Sequence, residues 1–231
     1  MREDEALQYL QRDPILHMGM IEPIRRGTAE VLFADASAVL IHEIKSGAYM
    51  LSADTQRIGE ALLDTVPQGS LWTVHQPFMV KPVRDRYGLR NTYECLQAVY
   101  LSPRKLDARG ALRIAPLDMA YAAQISEKYR MATLEELQDI IRDGSLYGGF
   151  LGDELAAFGG FHKEGSIGML EVFPPYRRRG FAVQLESRLV NLLLSQGRVP
   201  YAQIFPDNEQ SVRLHKKLGF QFSAQTLFWM D

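Results

Sequence analysis

The chain has 231 residues, of which 26 are Lys or Arg and 28 are Asp or Glu, so its formal net charge is −2. This slightly acidic balance argues against nucleic acid as a partner, because duplex binding relies on an excess of positive charge. Hydrophobic residues make up 46% of the chain, which is typical of a globular protein with a buried core. No apolar run approaches the ~20 residues that span a bilayer, so no membrane association is expected.

The first half of the sequence alternates helical and extended patterns. A helix is predicted over the first dozen residues and ends before Pro14, whose ring disfavours a continuing helix. Apolar residues at helical spacing predict a second helix over 54–66, and a short helix is predicted over 78–88. Strands are predicted at 30–34, 38–44, 48–53, 70–76 and 92–102.

A polar, turn-forming stretch at 103–110 predicts a junction between two domains, 1–108 and 109–231. Strands and helices follow each other in a similar order on both sides of this junction. A duplicated α/β unit would give this order, although unrelated α/β chains often look alike.

In the second half, residues 119–144 are predicted to form two helices that are split near Met131. Thr133 followed three residues later by Glu136 predicts a capping box at the start of the second helix. Further helices are predicted at 181–195 and 208–219, and strands at 111–118, 145–152, 154–163, 166–174, 200–205 and 220–230.

Three adjacent arginines, Arg177, Arg178 and Arg179, stand before Gly180 and a predicted helix. Two prolines end the preceding strand, so the arginine loop leads directly into a helix N-terminus, where unpaired N–H groups carry a partial positive charge. Gly180 has no side chain and leaves the backbone open to an anion. The pattern predicts a phosphate site, and a solvated basic loop that caps a core helix is the alternative.

This stretch resembles the acyl-CoA loop of the GNAT acetyltransferase superfamily. That loop reads Gln or Arg, two residues, Gly, one residue, Gly or Ala, and it is similar to Arg177, Gly180 and Ala182 here. The stretches LEVFPPYR and SVRLHKKLGF match family patterns in the same order, so the resemblance covers about 109–231. Within the superfamily, the longer stretches GSIGMLEVFPPYRRRG and GRVPYAQIFPDNEQSVRLHKKLGF look most like the glycine N-acyltransferase-like branch, which carries an extra N-terminal half.

The resemblance implies a mixed α/β (α+β) GNAT fold, in which helices flank a central twisted mixed sheet and a smaller related α/β half precedes it. It implies an N-acyltransferase that moves an acetyl group from acetyl-CoA, or another short acyl group, to a small primary amine or amino acid. A cytoplasmic location is predicted separately, because the chain has a single cysteine, no signal-peptide pattern at its start and no apolar run of membrane-spanning length. Transfer would occur by direct attack in a ternary complex, with no metal. A homodimer is left open, and the alternative is a non-catalytic CoA sensor or partner-binding module.

The implied CoA site has two parts. The pyrophosphate would sit on the backbone of 179–182, and the pantetheine arm would bond to strand 166–174 and to the start of helix 208–219. The resemblance implies cofactor contacts from Val172, Phe173, Arg177, Arg178, Arg179, Gly180, Phe181, Ala182, Asn208 and Ser211.

The implied catalytic residues leave alternatives open. Glu171 is the first choice as general base, or else the ion-pair partner of Arg177 or Arg179, and a bulge in its strand, usual in the family, decides which way it faces. His215 stands where many relatives have a tyrosine acid, so it is either a proton donor or a packed helix histidine. Ser166 stands where several relatives keep a base and could order a water.

Two further patterns in the sequence predict no additional site. Residues 56–61 also fit the phosphate-loop pattern, but they lack the neighbouring patterns, so no second CoA site is expected. The five histidines show no metal-ligand spacing.

The helical stretch 125–139 is predicted to cover the side of the site where the acceptor amine binds.

Overall fold

The computed structural model describes residues 2–129 and 132–231, so the helix break predicted near Met131 lies outside the described residues. The chain forms two compact units. The first contains the residues up to Val99 together with Tyr201–Lys216 and Phe220–Asp231, and the second contains Tyr100–Pro200 with Lys217–Gly219. These units follow spatial packing, whereas the boundary near residue 108 divides the chain in sequence order and stays a prediction.

Helices and strands alternate along the whole chain. The elements before residue 100 are α1 (Arg2–Leu10), α2 (Met18–Arg25), β1 (Ala29–Ala34), β2 (Ala38–Glu43), β3 (Ala48–Ala53), α3 (Gln56–Leu63), β4 (Trp72–Val74), α4 (Val80–Tyr87) and β5 (Thr92–Val99). The later elements are β6 (Arg113–Pro116), α5 (Ala122–Ser126), α6 (Leu134–Arg142), β7 (Leu146–Leu151), β8 (Glu154–Phe161), β9 (Ile167–Val172), α7 (Phe181–Ser195), β10 (Tyr201–Ile204), α8 (Glu209–Leu218) and β11 (Gln221–Met230).

In the first unit the strands run in the order β1-β2-β3-β4-β11-β5-β10. The pair β3–β4 is parallel and the other pairs are antiparallel, which makes the sheet mixed. The last strand of the chain, β11, lies between β4 and β5, with Phe228 opposite Val74 and also opposite Glu94. The first unit therefore needs the C-terminal strand to complete its sheet. Its largest fully buried side chain is Trp72.

In the second unit the antiparallel order is β9-β8-β7-β6. Phe181 and Leu185 of α7 pack against Ala156 and Ala157 of β8. Leu137 of α6 belongs to the separate apolar core that includes α5. Helices therefore cover this sheet on both faces.

The predicted α/β class with a central mixed sheet flanked by helices is confirmed, and so is the capping box of Thr133 and Glu136 at the start of α6. The sequence pattern missed α2. Gly19 and Pro23 both disfavour a helix interior, yet every residue from Met18 to Ile24 is buried in the first unit. Tertiary packing stabilises this helix where local propensity does not.

No helix in the described part of the chain is long and apolar enough to cross a membrane. Among the same residues, no group of three or more His, Cys, Asp or Glu side chains is placed to hold a metal ion.

Candidate functional site

Strand β9 carries a bulge directly before Glu171. Phe158 of β8 lies opposite Glu171, and Gly160 lies opposite Gly168, so two residues of β9 face a single residue of β8 between these pairs. One of the two is Met169, whose φ of 57° is left-handed and costs a non-glycine residue about 1 kcal/mol. The bulge that the resemblance implied is therefore present.

The residues around the bulge alternate between two apolar cores, and this alternation orients Glu171. Leu170 and Val172 pack with the α7 side, whereas Met169 and Phe173 pack in the core that includes α5 and α6. Glu171, between Leu170 and Val172, therefore belongs to the α5–α6 face of β9. This is the face on which the sequence places the acceptor cover.

Tyr129 follows α5 and lies close enough to Glu171 to feel its charge. Burial raises the pKa of the Tyr129 phenol, and the negative charge of Glu171 raises that pKa further. The ring packs edge-on against Phe158, with centroids 5.8 Å apart. A neutral hydroxyl and a carboxylate thus share this face, a pairing that the sequence did not predict.

Arg177 ties the arginine loop back to β9. Its Nη2 donates to Oε1 of Glu171 at 2.8 Å, and its Nε donates to the carbonyl of Val172 at 3.0 Å. The ion pair that the sequence left open for Glu171 is therefore present. Because Glu171 is about one-third exposed and Arg177 more than half exposed, such a pair contributes at most about 1 kcal/mol and can rearrange around a substrate.

Gly180 forms the N-terminus of α7 in a left-handed conformation, with φ 80° and ψ 4°, and no side chain caps the helix. The Gln184 amide donates to the Gly180 carbonyl at 3.1 Å, so the amides of residues 181–183 have no earlier carbonyl within the helix. The Arg179 guanidinium lies 4.9 Å from the ring centroid of Phe181. Amide donors, Arg179 and Arg178 are thus gathered at one helix end, where an anion is stabilised.

The backbone of Val172 is directed to the other side of β9 from β8. The Phe173 amide donates to the Ala156 carbonyl at 3.0 Å. Since successive residues of an antiparallel strand direct their hydrogen bonds to opposite sides, the amide and carbonyl of Val172 point away from β8. The carbonyl accepts from Arg177, and the amide points to the same side of β9.

Ser166 is buried in the turn between β8 and β9. Its hydroxyl donates to the carboxylate of Glu164, and its carbonyl accepts from the His162 amide at 2.9 Å. Both Ser166 and Glu164 are less than a tenth exposed. Ser166 therefore donates a hydrogen bond to the buried carboxylate of Glu164, which the sequence did not identify as a site residue.

Asn208, Ser211 and His215 lie in the first compact unit, at the start of and along α8. The Asn208 side-chain oxygen accepts from the Ser211 amide at 3.1 Å and so caps the helix. His215 is buried, its Nδ1 lies 2.8 Å from the Ser211 carbonyl, and its ring meets that of Phe220 at 4.7 Å. A carbonyl at Nδ1 requires the proton there, so any proton exchange would take place at Nε2, and both roles considered for His215 stay predictions.

Known proteins share this architecture. The sequence profile of the FR47-like protein family matches residues 147–229. A putative GNAT acetyltransferase from Novosphingobium aromaticivorans superposes with a TM-score of 0.56 and 18% identity, covering 94% of this chain and 95% of its own. The fold is that of GNAT acetyltransferases.

Two more solved structures are similar to this GNAT fold. A GNAT-family acetyltransferase from Colwellia psychrerythraea has a TM-score of 0.53 and 14% identity, over 98% of this chain and 97% of that one. A Drosophila protein has a TM-score of 0.65 and 18% identity, over 84% and 73%. Among curated proteins, none matches the sequence. The profile matches residues 147–229, and the solved structures share the fold of the chain. Membership of the GNAT acetyltransferase superfamily and of its glycine N-acyltransferase-like branch stays a prediction.

Proposed function

We propose that the protein transfers an acetyl or other short acyl group from acyl-CoA to the amine of a small primary amine or amino acid. The observation that carries this proposal is the α7 N-terminus, where two arginines and left-handed Gly180 follow the bulged strand β9 after a single 3-10 turn, Pro174–Tyr176. A diphosphate fits such a terminus, because amide hydrogens and guanidinium groups both donate to its oxygens.

In this proposal different residues bind the diphosphate and the pantetheine arm of the cofactor. The amides of Phe181 and Ala182, with Arg178 and Arg179, bind the diphosphate. Arg177 keeps its bond to the Val172 carbonyl and fixes the loop on β9. The pantetheine arm follows Val172 and Phe173, and the contacts from Asn208 and Ser211 stay predictions of the sequence.

The proposed reaction is a direct aminolysis of the thioester. The amine nitrogen attacks the carbonyl carbon, whose developing oxyanion accepts a hydrogen bond from the Val172 amide. The carbon–sulfur bond then breaks, the amine loses a proton to Glu171 or to a water that Glu171 orders, and CoA leaves as a thiolate that takes up a proton. Because burial keeps the Tyr129 phenol protonated, it can serve as a hydrogen-bond donor to the acceptor.

We further propose an amino acid, with glycine as the first to test, because two stretches of the sequence resemble the glycine N-acyltransferase-like branch. In this proposal the acceptor is bound between the α5–α6 cover and the face of β9 that carries Glu171. A cytoplasmic location is proposed with this activity, and size measurement of the purified protein tests for a homodimer.

A CoA-binding sensor without turnover is the second candidate. One observation favours it: Arg177 engages the carboxylate of Glu171, which is the proposed base.

Thiol release separates the two candidates. The protein is incubated with acetyl-CoA and a panel of amines that includes glycine, other amino acids and simple alkylamines, and free CoA is measured with a thiol reagent. Amine-dependent release supports the transferase, whereas CoA binding by calorimetry without release from any amine supports the sensor. The double variant Arg178→Gln/Arg179→Gln should weaken CoA binding, and Arg109→Gln, an exposed arginine paired with Asp107, is the matched control.

A further inference from the structure

The first compact unit contains a continuous stack of four aromatic rings. His42 of β2, Tyr49 of β3, Trp72 of β4 and Tyr87 of α4 follow one another with centroids 4.6, 5.1 and 4.7 Å apart and interplanar angles of 23°, 26° and 23°. The strand register places the first three side by side, since His42 pairs with Tyr49 and Tyr49 with Trp72. Such spacing is typical of offset stacking.

A cavity of about 790 Å³ lies beside this stack. His42, Tyr49 and Tyr87, each half-buried, contribute to its wall, and the turn 67–70 and the segment 86–91 close its sides. The volume is within the range of small-molecule sites, which combine aromatic walls with a few polar groups. The candidate transferase site uses none of these residues.

The turn 67–70 is held tightly against the centre of the stack. A side chain at Gly69 would collide with the Trp72 Nε1 and lie 3.1 Å from the Tyr49 ring, so only glycine fits there. The Trp72 indole is fully buried, and its Nε1 has no hydrogen-bond partner within the described part of the chain. The indole N–H therefore lies directly behind the cavity wall.

Among the described residues, two charged side chains at the cavity have no ion-pair partner, Arg90 and Asp231. Arg86 pairs with Asp64 at 2.8 Å, whereas the Asp231 carboxylate accepts a hydrogen bond from the neutral side-chain amide of Asn91 at 2.7 Å. Across residues 2–129 and 132–231, the exposed side chain of Arg90 has no ion-pair partner. Its backbone amide donates to the Asp231 carbonyl at 2.7 Å, which anchors its main chain at the cavity.

We propose that this cavity binds a small aromatic carboxylate. The ligand's ring packs against the parts of Tyr49 and Tyr87 that line the cavity, and its carboxylate forms a bidentate hydrogen-bonded pair with Arg90. Rings offer flat, polarisable surface to a ring, and a guanidinium matches the geometry of a carboxylate. The chemistry requires both parts of the ligand: an aliphatic acid loses the ring contacts, and an uncharged aromatic loses the ion pair.

The test uses the full chain and 2-naphthoate as the probe, with cyclohexanecarboxylate and 2-naphthalenemethanol as matched comparisons. Binding is followed by calorimetry and by the indole N–H signals of Trp72 and Trp229 in nitrogen-15 NMR, which Trp229→Phe assigns. We expect 2-naphthoate to shift the Trp72 signal saturably and to bind at least about 10-fold more tightly than either comparison, since a charge-assisted hydrogen bond alone corresponds to ~10-fold or more.

Three variants test where the carboxylate of 2-naphthoate binds. Arg90→Gln should weaken 2-naphthoate binding by about 10- to 100-fold at unchanged thermal stability, because the Arg90 side chain is exposed. Arg57→Gln on α3 and Arg179→Gln beside α7 should leave binding unchanged. No saturable shift of Trp72 up to ~10 mM, above the millimolar dissociation constant of a very weak ligand, overturns the proposal. Equal affinity for the three probes, or a greater loss with Arg179→Gln than with Arg90→Gln, also overturns it.

Discussion

Two glycines at opposite ends of α7 give a controlled test of the anion site. Gly180 precedes the helix with φ 80°, and Gly197 follows it with φ 71°. A β-carbon at either position would meet no atom within 4 Å, so alanine introduces backbone strain without collision at both. Left-handed alanine costs about 1–2 kcal/mol, partly offset by the reduced entropy of the unfolded chain, so each variant should lose about 1 kcal/mol of unfolding free energy.

The two variants should differ in CoA affinity. At Gly180 the new methyl group stands where phosphate oxygens must approach the α7 amides, and losing one charge-assisted hydrogen bond corresponds to about 10- to 100-fold in the dissociation constant. Gly197→Ala lies at the far end of the helix and should bind CoA like the unchanged protein. Urea unfolding measures the stability and calorimetry the CoA affinity. Equal CoA affinity in the two variants would refute the α7 terminus as the phosphate site.

Three further predictions concern acid sensitivity, catalysis and packing. Burial, reinforced by the charge of nearby His17, lowers the pKa of His75 to about 3. The unfolded chain binds this proton below pH ~6.5 and the folded chain does not, so stability is complete above that pH and falls below it. Between pH 7 and pH 5 the unfolding free energy should drop by about 2 kcal/mol, and urea titrations of His75→Gln should show a smaller drop. Glu171→Gln should lower kcat for amine acetylation by about 100-fold or more while the CoA dissociation constant changes little, and unchanged turnover would exclude Glu171 as the base. Leu185→Ala, at a fully buried position of α7, should cost about 2–5 kcal/mol in urea unfolding, and a loss below about 1 kcal/mol would contradict the packing described.

Local patterns predicted most helices and strands, because each has a clear periodicity or a cap. The α2 helix is the instructive failure, since Gly19 and Pro23 argue against it locally and burial overrides them. The position of β11 between β4 and β5 could not be predicted from the sequence, for a different reason. Alternation predicts a strand but carries no information on its partner, and these partners are more than a hundred residues away.

For the candidate site, the sequence predicted the arginine loop, the glycine and the adjoining helix. It could not assign the arginines to partners, because which side chain reaches Glu171 depends on the path of the loop, and Arg177 alone forms that pair with the Val172 carbonyl in addition. The approach of Tyr129 to Glu171 was equally hidden, since it depends on tertiary packing. The Ser166 contact with Glu164 spans only two residues, and a carboxylate so close to a serine in a predicted turn was a signal that could have been read.

The central claim is that the amides and arginines at the start of α7 bind the diphosphate of CoA, and calorimetric comparison of CoA with pantetheine tests it most directly. Pantetheine keeps the thiol and the arm but lacks the diphosphate nucleotide. The account predicts saturable CoA binding and at least about 100-fold weaker binding of pantetheine, as the loss of two or more charge-assisted hydrogen bonds requires. The absence of saturable CoA binding, or equal affinity for the two compounds, would contradict it.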